Sequence, residues 1–288
     1  MTLDEEINIA RCLDSVRWSN DVVILDSFSQ DRTIERANAY PNVRIYQRKF
    51  DDFSRQRNYG IHQIQYVNSW LLVLDADEVV EPNLAKEIRE VAGAGSQVSH
   101  DVFMLRRKVF INGRWVRWNM NYDFWLPRMI RPETVCFEGA VHEKLCFAGG
   151  YGFLKGAVEH HQFEKGLNDW LNRRARYARL ETQKAATTES IPRLLLNLSR
   201  RNPLDRRAAL KSLFFRLPGK YVVYFFYNII FKFSYLDGIA GLSYVLLEAY
   251  SHYLAAKQIK SGHNVQHHQT DYSTALTASA HRADVLHD

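Results

Sequence analysis

The chain has 288 residues, 46% hydrophobic and 24% charged, with a formal net charge of +6. That is ordinary globular composition with room for a sizeable core, in one large domain or one domain with an appendage. The basic excess favours anionic partners, namely nucleotides, nucleic acid or an anionic membrane surface. The acidic, polar stretch from Asp4 to Asn8 argues against a signal peptide, and no run of about 18 apolar residues is present to cross a bilayer. Cys12, Cys136 and Cys146 form no paired or metal-type spacing and fit a reducing cytoplasm.

The spacing of Ile9, Leu13 and Val16 predicts a helix from Glu5 to Val16. Asp21 to Leu25 reads as a buried strand that runs into Asp26, followed by the polar loop Ser27 to Gln30. A second helix follows from Asp31 to Tyr40, with Asp31 as its N-cap. Val43 to Tyr46 is a short strand, Ser54 to Gln65 a third helix, and Trp70 to Leu74 a strand. Pro82 opens a helix with Leu84, Ile88 and Val91 on one face. This alternation predicts βαβ units and a parallel sheet. Beyond Gly95, strands Val102 to Ile111 and Arg114 to Trp118 flank Asn112-Gly113, a strong hairpin signal, and Leu126 to Ile130 and Thr134 to Phe137 read as further strands.

After Phe163 the chain turns helical and basic. Arg173, Arg174, Arg176 and Arg179 are followed by Arg200, Arg201, Arg206, Arg207 and Lys211. Tyr221 to Phe233 is aromatic and apolar but too short to span a bilayer; it fits either the membrane interface or a core helix. Ser261 to Asp288 reads as a disordered tail, and its His263, His267 and His268 as solvated. The expected division is a catalytic domain over 1–165, a helical basic extension over 166–260 and a tail over 261–288.

The chemistry concentrates in Leu74-Asp75-Ala76-Asp77-Glu78, where an apolar strand ends in carboxylates. In an open α/β sheet, ligands collect at such strand ends, and two Asp residues one position apart can hold a hard divalent cation that in turn holds a diphosphate. Asp26 repeats the pattern: an acid at a strand end that can accept hydrogen bonds from a base or ribose. Arg128 and Arg131 can face a phosphate-bearing acceptor or solvent, with solvent favoured. Trp115, Trp118 and Trp125, near Tyr122, suit sugar stacking or core packing equally.

Together with Asp26 and the LDADE stretch, two segments carry a resemblance. Thr2-Leu3-Asp4-Glu5-Glu6 resembles the T-x-N-E-E after the first strand of family 2 glycosyltransferases, and Val141-His142-Glu143, after Phe137-Glu138-Gly139, resembles a later signature of that family. The resemblance covers roughly residues 2 to 165 and is nearest to the lipopolysaccharide-core β-1,4-glucosyltransferase-like branch. It implies an α/β GT-A (Rossmann-like) mixed sheet with a helical, basic C-terminal extension. It also implies a metal-dependent, inverting transfer of a sugar from a nucleotide sugar, most readily a UDP-hexose, to a cell-envelope glycan or lipid-linked acceptor.

Carried over by position, Asp26 would contact the base, Arg57 the base or diphosphate, Asp75 the ribose, and Glu5 would join the nucleotide-sugar site. Asp77 would hold Mn²⁺ or Mg²⁺ with His160 as a further ligand, and Glu143 would be the base, oriented by His142. The enzyme would lie in the cytoplasm, peripheral on the inner face of the plasma membrane. The chain departs from the family at Asp4, where Asn is usual, and at Met1, which stands where the first strand should end; loss of that strand would leave ladder hydrogen bonds unpaired on both sides. Three other readings remain: a sugar-phosphate nucleotidyltransferase, which lacks its Gly-rich loop here; a catalytically dead, truncated, membrane-associated binding protein; and a nucleic-acid binder, suggested by charge alone.

Overall fold

A computed structural model of the chain describes residues 1–95, 98–118, 125–138, 144–188, 191, 209–210, 213–214 and 216–260. The first part builds outward from a short parallel pair. Strand β1 (Val22–Asp26) lies beside β2 (Val43–Gln47), joined through helix α2 (Thr33–Ala37). Helix α1 (Ile9–Ser15) precedes them and buries Ile9, Cys12 and Leu13. It starts later than the periodicity predicts because Asp4 sits at φ 53° and the segment after it is a turn. Helix α3 (Phe53–Gln63) is capped by the Asp52 carboxylate, which accepts from the Arg55 N–H. Strand β3 is only Leu71–Leu72, shorter than the predicted Trp70–Leu74.

Strand β4 (Glu78–Val80) leads to α4 (Pro82–Gly93), which has proline in its first turn and buries Leu84, Ala85 and Ile88. Strands β5 (His100–Ile111) and β6 (Arg114–Val116) form the expected hairpin. Asn112 and Gly113, at φ 49° and 75°, supply the two positive-φ positions that its tight turn requires. The remaining strands are β7 (Trp125–Ile130), β8 (Val135–Glu138), β9 (Lys144–Phe147) and β10 (Gly150–His161). The sequence reading did not find β9 or β10.

The larger sheet is mixed, as the family resemblance implies, while the parallel β1–β2 pair keeps the βαβ expectation for residues 22–47. A six-stranded mixed sheet runs β3-β7-β5-β10-β4, with β6 on β5; only the β5–β10 pair is parallel. The β1–β2 pair stands apart from it. The Val22–Leu25 and Leu71–Leu74 segments both line a cavity of about 360 Å³, together with Ile9, Leu13 and Ile61. Among the described residues, only Thr2 pairs with the other edge of β1, in a parallel bridge to Asp26. With no ladder partner on that side among the described residues, the 70–74 segment keeps little regular strand, although the Val73 N–H still reaches the Arg128 carbonyl at 2.7 Å.

Two apolar clusters hold this part. One joins α1 and α4 to β5, β7 and β10 through Ile9, Leu84, Leu105, Met129 and Val158. The other lies beneath the β8–β9 pair and includes Ile61, Val102, Ile130, Phe137 and Leu145. At β10, Gly156 lets α4 approach closely, because a Cβ there would stand 2.6 Å from the Leu84 Cα.

By its contacts the chain forms two units: Met1–Trp170 with Tyr227–Val245, and Leu171–Phe226 with Leu246–Asp288. The helices that follow β10 are α5 (Leu167–Thr188), α6 (Lys220–Ile230) and α7 (Gly238–Lys260). In the first unit Tyr244 packs edge-on against Trp170, both buried. In the second, Arg174 pairs with Glu248, and His252 packs on Phe214 and Tyr224. The expected basic run from Arg200 to Arg207, Lys211, and the tail with its histidines lie outside the described residues. Among the described residues, no single helix is long and apolar enough to cross a membrane.

Candidate active site

The site is built on the carboxyl ends of β1 and of the Leu71–Leu74 segment. Asp26 ends β1 fully buried. Its carboxylate accepts from the Thr2 hydroxyl (3.0 Å), the Ser29 N–H (2.9 Å), the Ser29 hydroxyl and the Gln47 amide (3.2 Å). Burial works to raise its carboxyl pKa, and these four donors more than offset that and hold it below the usual carboxylate value. Asp26 therefore organises the 26–30 loop rather than presenting a bare acid to solvent.

That loop is zipped to the TLDEE segment. Asp4 Oδ1 accepts from the Gln30 N–H at 2.7 Å, Asp31 from the Glu6 N–H at 2.9 Å, and Glu6 from the Arg32 N–H at 3.1 Å. Asp, like Asn, tolerates the left-handed backbone found at residue 4, so the departure there is conformationally mild. The N-cap of α2 is Arg32 rather than the expected Asp31, which stands one position earlier and accepts from the Thr33 N–H at 2.9 Å. Phe28 holds φ 63° with its ring exposed, an uncommon backbone state for a bulky residue.

At the second strand end, Asp75 lies between two guanidinium groups. Arg57 Nη2 reaches Oδ1 at 3.0 Å and Arg128 Nη2 reaches Oδ2 at 2.8 Å. Arg128 also donates to Glu78 Oε1 at 2.7 Å, and Glu78 Oε2 accepts the Asp75 N–H at 3.1 Å. Burial opposes ionisation of Asp75, but Arg128 and Arg57 dominate and hold it well below the carboxylate range. Glu78, fully buried, is pushed upward by burial despite Arg128.

The expectation that Arg128 and Arg131 face solvent is thus corrected. Arg128 is a buried clamp. Arg131 lies over the Trp70 ring, 4.4 Å from its centroid, and donates to the Gly95 carbonyl at 3.3 Å. Strand alternation does not reveal this, because the β5–β7 register shifts at Arg128 and the next residue, Met129, is equally buried.

Asp77, the next carboxylate, meets β10. Its Oδ2 is 3.1 Å from His160 Nε2, and its carbonyl accepts the His161 N–H at 3.0 Å. His160 Nδ1 is buried with no hydrogen-bond partner among the described residues. Glu5 accepts from the Asn8 amide at 2.8 Å and pairs with Lys165, while burial pushes its carboxyl up. Burial likewise lowers the pKa of the neighbouring His161 imidazole, which lies near Glu159, Glu164 and Arg11.

A carboxylate beside an imidazole with one ring nitrogen unspent fits Mn²⁺ better than Mg²⁺, which favours oxygen donors alone. The structure also brings Cys136 and Cys146 directly opposite each other on β8 and β9, with Glu138 near, a grouping that sequence spacing hides. Those sulfur donors are suited to softer metals than a diphosphate site uses.

The predicted acid–base pair, His142 and Glu143, lies outside the described residues, as does Tyr122. Their flanks are held by a residue that sequence reasoning missed. Asn58 on α3 donates to the Phe137 carbonyl and accepts the Phe137 N–H, both at 2.8 Å, pairing with β8 as another strand would. Arg57, one position earlier, lies 5.5 Å from the Phe137 ring centroid. Trp125 packs on Phe153 and under Arg106 rather than standing open.

The sequence profile of glycosyl transferase family 2 matches residues 1–150, more than half of the chain. The chain belongs to glycosyl transferase family 2. As a family 2 member it has the α/β GT-A fold, which accounts for the mixed sheet and for acids gathered at strand ends. An uncharacterized glycosyltransferase of Rickettsia typhi is 25% identical over 114 residues, covering 39% of this chain and 38% of that protein. The chain thus matches well under half the length of this relative. The crystal structure of S. aureus TarS 1-349 aligns over 92% of this chain and 91% of its own at 14% identity, with a TM-score of 0.41. A second S. aureus TarS structure aligns over 85% and 53% at 12% identity, with a TM-score of 0.40.

Proposed function

We propose that this family 2 protein is an inverting glycosyltransferase that moves a hexose from a nucleotide sugar, most readily a UDP-sugar, to a cell-envelope glycan or lipid-linked acceptor such as lipopolysaccharide core. The observation that carries this reading is the pairing of Asp77 with His160 beside an Asp75 locked ionised by Arg57 and Arg128, in a chain whose first 150 residues match the family. Asp75 and the Asp26 loop orient the ribose and base. Asp77 and His160 would hold Mn²⁺ or Mg²⁺, which when bound would supply Lewis-acid neutralisation of the departing diphosphate.

The acceptor hydroxyl attacks the anomeric carbon as the sugar–phosphate bond breaks. Its proton passes to Glu143, and the configuration inverts in that single displacement. The protein works in the cytoplasm on the inner face of the plasma membrane. Asp77→Asn tests the assignment: metal-stimulated turnover falls by at least roughly 100-fold while unfolding is unchanged. Near-normal metal-dependent turnover would remove Asp77 from the cation site.

One observation favours a second reading, a non-catalytic membrane-associated binding protein. A cavity of about 360 Å³ is lined by both Val22–Leu25 of β1 and the Leu71–Leu74 segment, and reaches Asp75.

A further inference from the structure

The turn joining α6 to α7 places Ile230, Phe231, Phe233, Tyr235, Leu236 and Ile239 in solvent, with Phe231 69% and Ile239 78% exposed. Contiguous exposed apolar surface of this kind marks an interaction site rather than a folding defect. The turn is held in shape. Ser234, buried, donates to the Asn228 carbonyl at 2.9 Å, and residues 234–237 form a 3₁₀ turn between positive-φ residues Phe233 and Gly238. Asp237 then fastens it to the β5–β6 hairpin: its two carboxylate oxygens accept the Arg117 and Trp118 N–H groups, each at 2.9 Å. Trp118, itself exposed, meets the Phe233 ring edge-on. The polar handle thus points inward and the apolar tips outward.

We propose that this knuckle docks the protein on an anionic bilayer, its tips lying in the headgroup and upper acyl region. Aromatic tips with Lys232 between Phe231 and Phe233, and with Arg117 at the Asp237 anchor, match that interface, where rings sit at the headgroup level and cations meet anionic lipid. The 73° bend between the helices suits lying in the interface rather than crossing it. A second copy is the less favourable occupant, because a two-fold contact through this patch would set Lys232 and Arg117 against their own copies. Docking there would bring the site of the proposed transferase to lipid-linked acceptors; that consequence, unlike the docking, rests on the transferase reading.

The test is co-sedimentation of the full chain with vesicles of phosphatidylcholine alone or mixed with phosphatidylglycerol, beside Phe231→Asp/Ile239→Asp and the milder Phe231→Ser. UDP titration and gel filtration accompany it. The expected result is binding to mixed vesicles, weaker binding without the anionic lipid, and a loss on the order of 100-fold in the double variant. UDP affinity stays unchanged in every variant, so a failure of docking and a failure of the transferase reading are told apart. No vesicle binding by the unaltered chain, binding unchanged by both variants, or a dimer that the same substitutions dissociate would each overturn the proposal.

Discussion

Replacing Arg128 with Met removes the cation shared by Asp75 and Glu78. The Arg128 side chain is 8% exposed and that of Glu78 is fully buried, so the loss is not made good by water. Glu78 is left with the Asp75 N–H and with Arg107 at 3.9 Å. Breaking a buried ion pair from one side costs about 3–5 kcal/mol. Glu78 can relieve part of this by taking up a proton, because burial already raises its carboxyl, which places the expected cost near 3 kcal/mol. For a domain of this size, that lowers the melting temperature by roughly 6–12 °C.

The assay is urea and thermal unfolding of Arg128→Met, Glu78→Gln and the double variant. In the double variant no charge is stranded at position 78 and Asp75 keeps Arg57 at 3.0 Å, so it should regain about 2 kcal/mol of the loss and lie within about 1 kcal/mol of the unaltered protein. The cycle then returns a coupling of about 2 kcal/mol or more. A single variant within about 1 kcal/mol of the unaltered protein, or a double variant no more stable than Arg128→Met, would refute the clamp.

Three further outcomes follow from the geometry. Gly156→Ala drives a methyl into the α4 backbone at Leu84 and should cost about 1–3 kcal/mol, read by urea denaturation. His252 is buried neutral, and burial lowers its imidazole to about 4, opposed by Glu248 and reinforced by Lys220 and Arg174. The unfolded chain binds that proton first, with a pKa of about 6.5. Stability is therefore complete above that value and lost as pH falls toward 4, by up to about 1.4 kcal/mol per pH unit. His252→Phe should flatten this slope in pH-dependent unfolding curves; an unchanged slope assigns it elsewhere. Asn58→Ala removes both bonds to Phe137, so the Phe137 amide should exchange faster and turnover fall roughly 10- to 100-fold with donor KM little changed.

Local signals were legible where one residue's chemistry decides the structure. Asn112-Gly113 named its turn, Pro82 opened its helix, and Asp26 marked the end of β1, while Asp75 and Asp77 fall in the turn between β3 and β4. Strand partners were not legible. The βα alternation over residues 21–91 suggested a parallel sheet, yet β7 inserts antiparallel between β3 and β5, a pairing fixed by long-range register that periodicity does not encode. Strand β10 was missed because Gly150, Gly152 and Gly156 interrupt its apolar pattern, although glycine at 156 is what α4 needs. In the site, Asp75 and Asp77 were visible as a pair, but their division of labour was not. The partners that separate them, Arg57 and Arg128 for one and His160 for the other, come from α3, β7 and β10.

The central claim, that the acids at these strand ends serve sugar transfer, is tested most directly by nucleoside diphosphate release. The chain is offered a panel of nucleotide sugars with a membrane-glycan extract as acceptor, with Mn²⁺ and after chelation. The account predicts release from one donor class, dependent on added metal and abolished by Asp77→Asn. Metal-independent release would contradict the cation role of Asp77, and no release from any donor while the chain binds UDP and vesicles normally would contradict the account and favour the non-catalytic binding protein.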